Sequence, residues 1–462
     1  MSVMKKTRSL RLGIILGAAV FPFSALAADL LSVYRDAMSY DAQFSAARAS
    51  RDAGLEKLPQ AKAGLKPQIN FTADTKWNDT STRLRVSPTL SLGPYIGPFL
   101  GPFIPTQSSA RYNTHSWGVS LAQPLFRWQN WATYKQAELS VATTEIQYSL
   151  AKQELIERVA QAYFDVLQAQ EDVATADTQK TAIAEQLAAA KRNFEVGTAT
   201  ITDTHEAQAR HDLVSASVIA AQNDLLVKKQ VLMALIGKEP EELKGLKSGV
   251  QLAAPEPEDI NQWVEAAGKD NLNVQLGKTA FEISNREFEK NRAGHMPTLD
   301  LVAQHGRQTN GNSALFGGTD TDATVVGLQL NIPIFSGGLT VSRTREAVAL
   351  REKAKFDLDN VQRMAMLGAR QAYLGVTSGL AQSKALEQAL VSSQSALDSN
   401  KLGYEVGVRV NIDVLNAQQQ VSSTRRDLAK ARLQTLMGQL KLKAAIGTLN
   451  EQDIAAINGL LE

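Results

Sequence analysis

The sequence predicts an α+β membrane protein: a β-barrel shared between chains, with helical rods long enough for a tube or a long coiled coil. Three features predict it. The chain opens on an export signal, it is one unit written twice, and short period-two runs sit between helical stretches too long for a globule. Residues 1–27 carry Lys5, Lys6, Arg8 and Arg11, then an apolar run from Leu12 to Phe23, then Ala25-Leu26-Ala27. That order of basic, apolar and small-x-small segments is a signal peptide, and the mature chain is expected to start at Ala28. The apolar run, about 12 residues, falls short of the roughly 18 a spanning helix needs.

The formal net charge is +2. Loss of the leader takes four cations and no anion, leaving about −2, a balance that gives no footprint for nucleic acid. The chain has 0 cysteines, which excludes disulfides, thiolate metal sites and a lipid-bearing N-terminal cysteine. No other segment reaches the length of a spanning helix, so a membrane passage has to be made by strands.

The duplication is the most informative feature. Pro67-Gln68-Ile69-Asn70-Phe71 is echoed by Pro297-Thr298-Leu299-Asp300-Leu301, and Ala63-Gly64 by Ala293-Gly294, roughly 230 residues on. Gly118-Val119-Ser120-Leu121 and Pro124-Leu125-Phe126 are echoed by Gly327-Leu328-Gln329-Leu330 and Pro333-Ile334-Phe335. Glu195-Val196-Gly197 then pairs with Glu405-Val406-Gly407, Asp203 with Asp413 and Ile236-Gly237 with Ile446-Gly447, at an offset of about 210. The shorter offset leaves about 21 extra residues in the first half, around Gly93 to Pro105, whose Gly and Pro density reads as a long loop. The units are a first repeat over 28–237, a linker over 238–259, a second repeat over 260–447 and an equatorial C-terminal segment over 448–462.

Strands are predicted over 68–78 and 116–126 in the first repeat and over 298–308 and 324–335 in the second. In the first, Ile69, Phe71, Ala73 and Trp77 alternate with Gln68, Asn70, Asp74 and Lys76. Each run has about the 9–11 residues a tilted strand needs to cross lipid. Four strands do not close a barrel, and an open edge in hydrocarbon leaves backbone groups unpaired. Two copies give eight strands, whose interior side chains fill. Three give twelve and leave a lumen, so a homotrimer is expected.

The rest is helical by pattern. Asn130 to Phe194 holds no Pro or Gly, and at about 1.5 Å per residue makes a rod near 100 Å long. Leu339 to Val406 repeats it. Return helices are expected from Ile201 to Leu235 and Asn411 to Ala445, and a helix before each strand pair from Leu30 to Ala63 and Ile260 to Ala293. Stacked end to end, the two shorter helices match one long one.

The rods reverse at Val196-Gly197-Thr198 and Val406-Gly407-Val408. The glycines fit left-handed helix caps, with Thr202, Asn411 or the aspartates as candidate caps of the next helix. Capping explains the glycines but leaves Tyr404 and Arg409 unexplained.

The chain resembles the TolC family of outer-membrane ducts. The resemblance covers about Ala28 to Glu462 and rests on the duplicated VG-x-x-x-x-x-D turn, the two P-x-F strand ends and the run Gly447-Thr448-Leu449-Asn450-Glu451-Gln452-Asp453. It implies a trimer whose twelve-stranded barrel in the outer membrane continues, through a mixed equatorial region, into a twelve-helix periplasmic tunnel closed at its tip. It implies an exit duct for a tripartite efflux pump or a type I protein secretion system. Its partners would be a periplasmic adaptor (membrane fusion) protein, docking at Val196, Gly197, Thr198, Val406 and Gly407, an inner-membrane pump of RND, MFS or ABC type, and outer-membrane lipid. Family gate residues map onto Tyr404, bonding Asp203 within a chain, and Arg409, reaching Thr202 and Asp203 of the next. An acidic ring at the constriction maps onto Asp413, whereas its second member is Asn416 here.

No cofactor is expected. No phosphate loop occurs, and His115, His205, His211, His295 and His305 show no ligand pair at one-turn spacing, so neither a metal site nor an enzyme is predicted. An exported structural or adhesin-like coiled coil would share the helices and the leader, but has no use for duplicated strand pairs between them.

Overall fold

A computed structural model describes residues 28–83, 107–198, 200–240, 242–247, 249–311 and 317–462. The leader and the Gly93–Pro105 loop lie outside them. The order is α1 Leu30–Tyr40, α2 Ala42–Leu55, α3 Lys57–Ala63, β1 Gln68–Arg83, β2 Gln107–Phe126, α4 Trp128–Glu195, α5 Ile201–Ile236, α6 Ile260–Asp270, α7 Leu272–Arg292, β3 Thr298–Asn310, β4 Thr319–Asn331, α8 Leu339–Glu405, α9 Asn411–Ala445 and α10 Glu451–Asn458. Among the described residues no helix is long and apolar enough to cross a membrane.

The four strands form one antiparallel sheet in the order β1-β2-β3-β4, which leaves β1 and β4 as edges. Its register aligns Ile69, Leu121, Ala303 and Val326 in one row and Asn70, Ser120, Gln304 and Val325 in the next. One face therefore gathers Ile69, Phe71, Val119, Leu121, Leu299, Leu301, Val326, Leu328 and Leu330 in an apolar band, while the other carries Asn70, Asp74, Ser116 and Gln308. Ile69, Phe71, Trp77, Val326, Leu328 and Leu330 are 61–69% exposed, so no described part of the chain covers them. The strands run to 16, 20, 13 and 13 residues, longer than the bilayer alone requires. β4 ends at Asn331 and not at residue 335, because Pro333 has no N–H to donate to the ladder. At the foot of the sheet Arg127, which opens α4, forks onto the carboxylate of Asp300 at 2.8 and 2.5 Å, fastening a rod to β3.

The helices before the strands are not continuous, contrary to the sequence expectation. The first breaks at Asp41 and again at Glu56, the second at Asn271. Asp41 and Asn271 are equivalent positions of the two repeats, and both leave the helical region (ψ 120 and 133). Each accepts with its side chain from the next turn: Asp41 from the Phe44 amide at 2.6 Å, Asn271 from the Asn273 amide at 2.9 Å. Short Asx side chains stop one helix and cap the next in this way.

These short helices line the first part of each rod, and the return helix lines the second. Arg51 of α2 meets Glu145 of α4 at 2.8 Å and Lys228 of α5 meets Asp165 at 3.2 Å. Where they meet end to end, the main core gathers Leu30, Val33 and Tyr34 of α1, Leu155, Ile156 and Tyr163 of α4, Leu232 of α5, Leu436 and Leu440 of α9 and Ile454 of α10. The Tyr163 hydroxyl donates to the carbonyl of Lys244 at 2.8 Å, which ties the inter-repeat segment to that core. Burial pushes this phenol well above its ordinary pKa.

Asp41, 5% exposed, is gripped by both terminal nitrogens of Arg158 at 3.0 Å. Burial alone would raise its pKa, but the Arg158 and Phe44 hydrogen bonds outweigh that and hold it below the usual 3.8. A depressed carboxylate stabilises the fold above its unfolded pKa, and the contribution disappears as pH falls through the lower folded value. Asp41→Asn is therefore expected to cost about 1–3 kcal/mol at neutral pH, seen as a lower urea midpoint in detergent. The gap between variant and parent should shrink below about pH 4.

Candidate functional site

The ends of α4–α5 and α8–α9 farthest from the sheet form two tips with the same backbone. Val196 and Val406 end their helices at φ −88, ψ 0, and Gly197 and Gly407 follow at φ 81 and 78. The next amides, of Thr198 and Val408, donate back to the carbonyls of Asn193 and Gly403 at 2.8 and 2.9 Å. Only a residue without Cβ takes the left-handed step at no steric cost. Val196, Val406, Val408 and Val410 project from the tips, 56–76% exposed.

The side chains make the two tips different. In the first, Thr200 caps α5 and closes a capping box: its hydroxyl accepts from the Asp203 amide at 3.2 Å, and the Asp203 carboxylate accepts from the Thr200 amide at 2.9 Å and hydroxyl at 2.8 Å. Thr202 stands exposed on that first turn, so the cap is Thr200 and not Thr202. In the second tip the capping position holds Val410, which has no side-chain acceptor, and Asn411 is the first helical residue, not the cap. Asp413, equivalent to Asp203, is thus released from capping and lies 3.7 Å from Arg409. The stem of Arg409 crosses Gly403, where an added Cβ would come within 2.7 Å of its Cγ. The helical pattern therefore tolerates Gly403 for a reason of packing.

Tyr404 is not bonded to Asp203, as the resemblance implied. Its hydroxyl accepts from Asn193 Nδ2 at 3.2 Å, and its ring packs by Leu397, Val414 and Val421. Asp203 is already occupied by Thr200. Three more bonds join the hairpins. Gln186 donates to Asn411, which is 1% exposed, and Arg210 of α5 donates to Gln419 at 2.9 Å and Asn416 at 3.2 Å on α9. An apolar contact of Ile183, Val214 and Leu415 lies between them.

Gln186, Asn193 and Arg210 escape a motif reading. A signal for them exists nonetheless: their equivalents in the second repeat are Ala396, Gly403 and Gln420, so each is a place where the two copies disagree. The same holds for Tyr404 against Phe194 and Arg409 against Ala199. Among the described residues, no group of three or more His, Asp or Glu is placed to hold a metal ion.

Comparison with known proteins agrees with this architecture. The family model described as "Outer membrane efflux protein" matches residues 33–238 and 264–448. The chain is 30% identical over 438 residues to the outer membrane protein TolC of Vibrio cholerae, covering 94% of each. It is also 30% identical to the alkaline protease secretion protein AprF of Pseudomonas aeruginosa, covering 94% of this chain and 87% of the relative. The Campylobacter jejuni CmeC outer membrane channel superposes with a TM-score of 0.75 at 16% identity, over 94% of this chain and 90% of that one. VceC of Vibrio cholerae does so with 0.72 at 18%, over 90% and 96%. Two unequal tips on a duplicated rod, a one-sided apolar sheet with open edges, and matches over nearly its whole length place the chain in the outer membrane efflux protein family, as an exit duct of the outer membrane.

Proposed function

We propose that three copies of the chain close one barrel and one helical tunnel, and that the duct is a passive channel opened at its tips. The open sheet supports the trimer most directly, since β1 and β4 each need a partner from another chain. The gate is a latch of Tyr404, Arg409, Asp203 and Thr202. Tyr404 acts within the chain through Asn193, and Arg409, 58% exposed, is available to Thr202 and Asp203 of a neighbour as well as to its own Asp413. Opening swings α8–α9 away from α4–α5 and breaks these bonds. The exposed valines around Val196, Gly197, Thr198, Val406 and Gly407 are the docking surface for a periplasmic adaptor. That adaptor connects the duct to an inner-membrane pump, which supplies the energy and selects between small molecules and secreted proteins. Asp413 lines the narrowest part as a ring of three carboxylates.

The assembly is tested by gel mobility: an outer-membrane fraction should yield an oligomer of about three chains that collapses to the monomer position only on heating. A monomer in unheated samples would contradict the shared barrel. The latch is tested in planar bilayers, where Tyr404→Phe with Arg409→Ser should raise single-channel conductance severalfold, and unchanged conductance would remove the latch assignment. Asn193→Ala and Tyr404→Phe cut the same bond, so their effects on conductance should coincide and fail to add.

A further inference from the structure

We propose that Arg210 sets the charge selectivity of the constriction, acting as a cation where a second ring of acids would otherwise bind cations. The inference rests on the reading above that Asp413 lines the narrow part. Asp413, Asn416 and Gln420 follow one another at three- and four-residue spacing, so they share one face of α9, and Asn416 and Gln420 are exposed on it. Asn416 is one turn, about 5 Å, from Asp413 along the axis.

The guanidinium of Arg210 reaches across from α5 and lies on this strip. One terminal nitrogen donates to Asn416 Oδ1 at 3.2 Å, the other to Gln419 Oε1 at 2.9 Å. Both acceptors are neutral amides, and among the described residues no carboxylate pairs with Arg210. Glu206, one turn back on α5, does not pair with it either. The charge is thus held in place by neutral acceptors, with no carboxylate bonded to it among the described residues. At the level of Asp413 the nearest cation is Arg409 at 3.7 Å. Along this part of α9 each protomer therefore presents the Asp413 carboxylate with two guanidinium groups, of Arg409 and Arg210, beside it. Asn416 matters as much for the acceptor it offers as for the acid it lacks, because a carboxylate in its place would neutralise Arg210. The resulting duct favours anionic and neutral solutes and holds multivalent cations poorly.

The test uses the purified full-length protein in planar bilayers, with two readouts: reversal potential in a KCl gradient and block by hexamminecobalt(III). Arg210→Gln should tighten block by roughly tenfold and move the reversal potential towards potassium selectivity. Arg210→Lys, which keeps the charge, should stay near the parent. Asn416→Asp, which leaves Arg210 in place and supplies a counterion, should shift both readouts in the same direction as Arg210→Gln, and provides the test if that variant does not assemble. Asp413→Asn is the control for the constriction itself. If it weakens block while Arg210→Gln and Asn416→Asp change nothing, Arg210 is refuted and the constriction stands. If Asp413→Asn also changes nothing, the constriction reading falls and takes this inference with it.

Discussion

The unpaired backbone at the two sheet edges is the constraint on which the rest depends. β1 and β4 each present a row of N–H and C=O groups that in hydrocarbon cost several kcal/mol apiece unless paired. Side chains do not relieve that cost, so the sheet is complete only in a ring. Once the strands are arranged in a ring, the helices that issue from them are too. The Arg127–Asp300 fork joins the direction of α4 to that of β3, carrying the barrel's curvature into the rods. A tube of helices then needs columns of equal length, and the duplication supplies them: α4 and α8 span 68 and 67 residues, each faced by two shorter helices stacked end to end.

Stacking requires a joint, and the joint is where Asp41 and Asn271 break their helices. A break there does two jobs. It lets the chain bend over the equatorial core, and it satisfies the orphan amides of the following helix. In the first repeat the same carboxylate also holds Arg158 of α4, whereas in the second Asn271 donates to the carbonyl of Ala445 at 2.9 Å. One device is thus kept in both copies with different partners.

The strands, rods and tip turns were legible in the sequence because each is written in local periodicity: alternation in 68–77, the absence of Pro and Gly through 130–194, a glycine after each rod. The helix breaks were not, since an Asp or Asn in a helical run is also an ordinary surface residue. The partner of Tyr404 was not legible for a different reason. Which side chain meets its hydroxyl depends on the rotation and stagger of two hairpins roughly 200 residues apart, and a shift of one residue turns a helix face by about 100°. Asp203 lay at the right height but was already committed to Thr200, a competition that only the local capping geometry reveals.

Packing along the rods thins from the equator to the tips. The equatorial core draws large buried side chains from α1, α4, α5, α9 and α10. Near the tips the clusters shrink to Leu187, Ala190 and Ala207, or Ile183, Val214 and Leu415, and the two hairpins are joined there by the bonds of Gln186, Asn193 and Arg210. Each such bond contributes about 0.5–1.5 kcal/mol net, less where water competes. Separating the tips therefore costs a few kcal/mol, within reach of a partner that binds only the open form, while opening the equator would dismantle the core. Among the described residues of the rods, the seam between the hairpins is therefore held more weakly at the tips than at the equator.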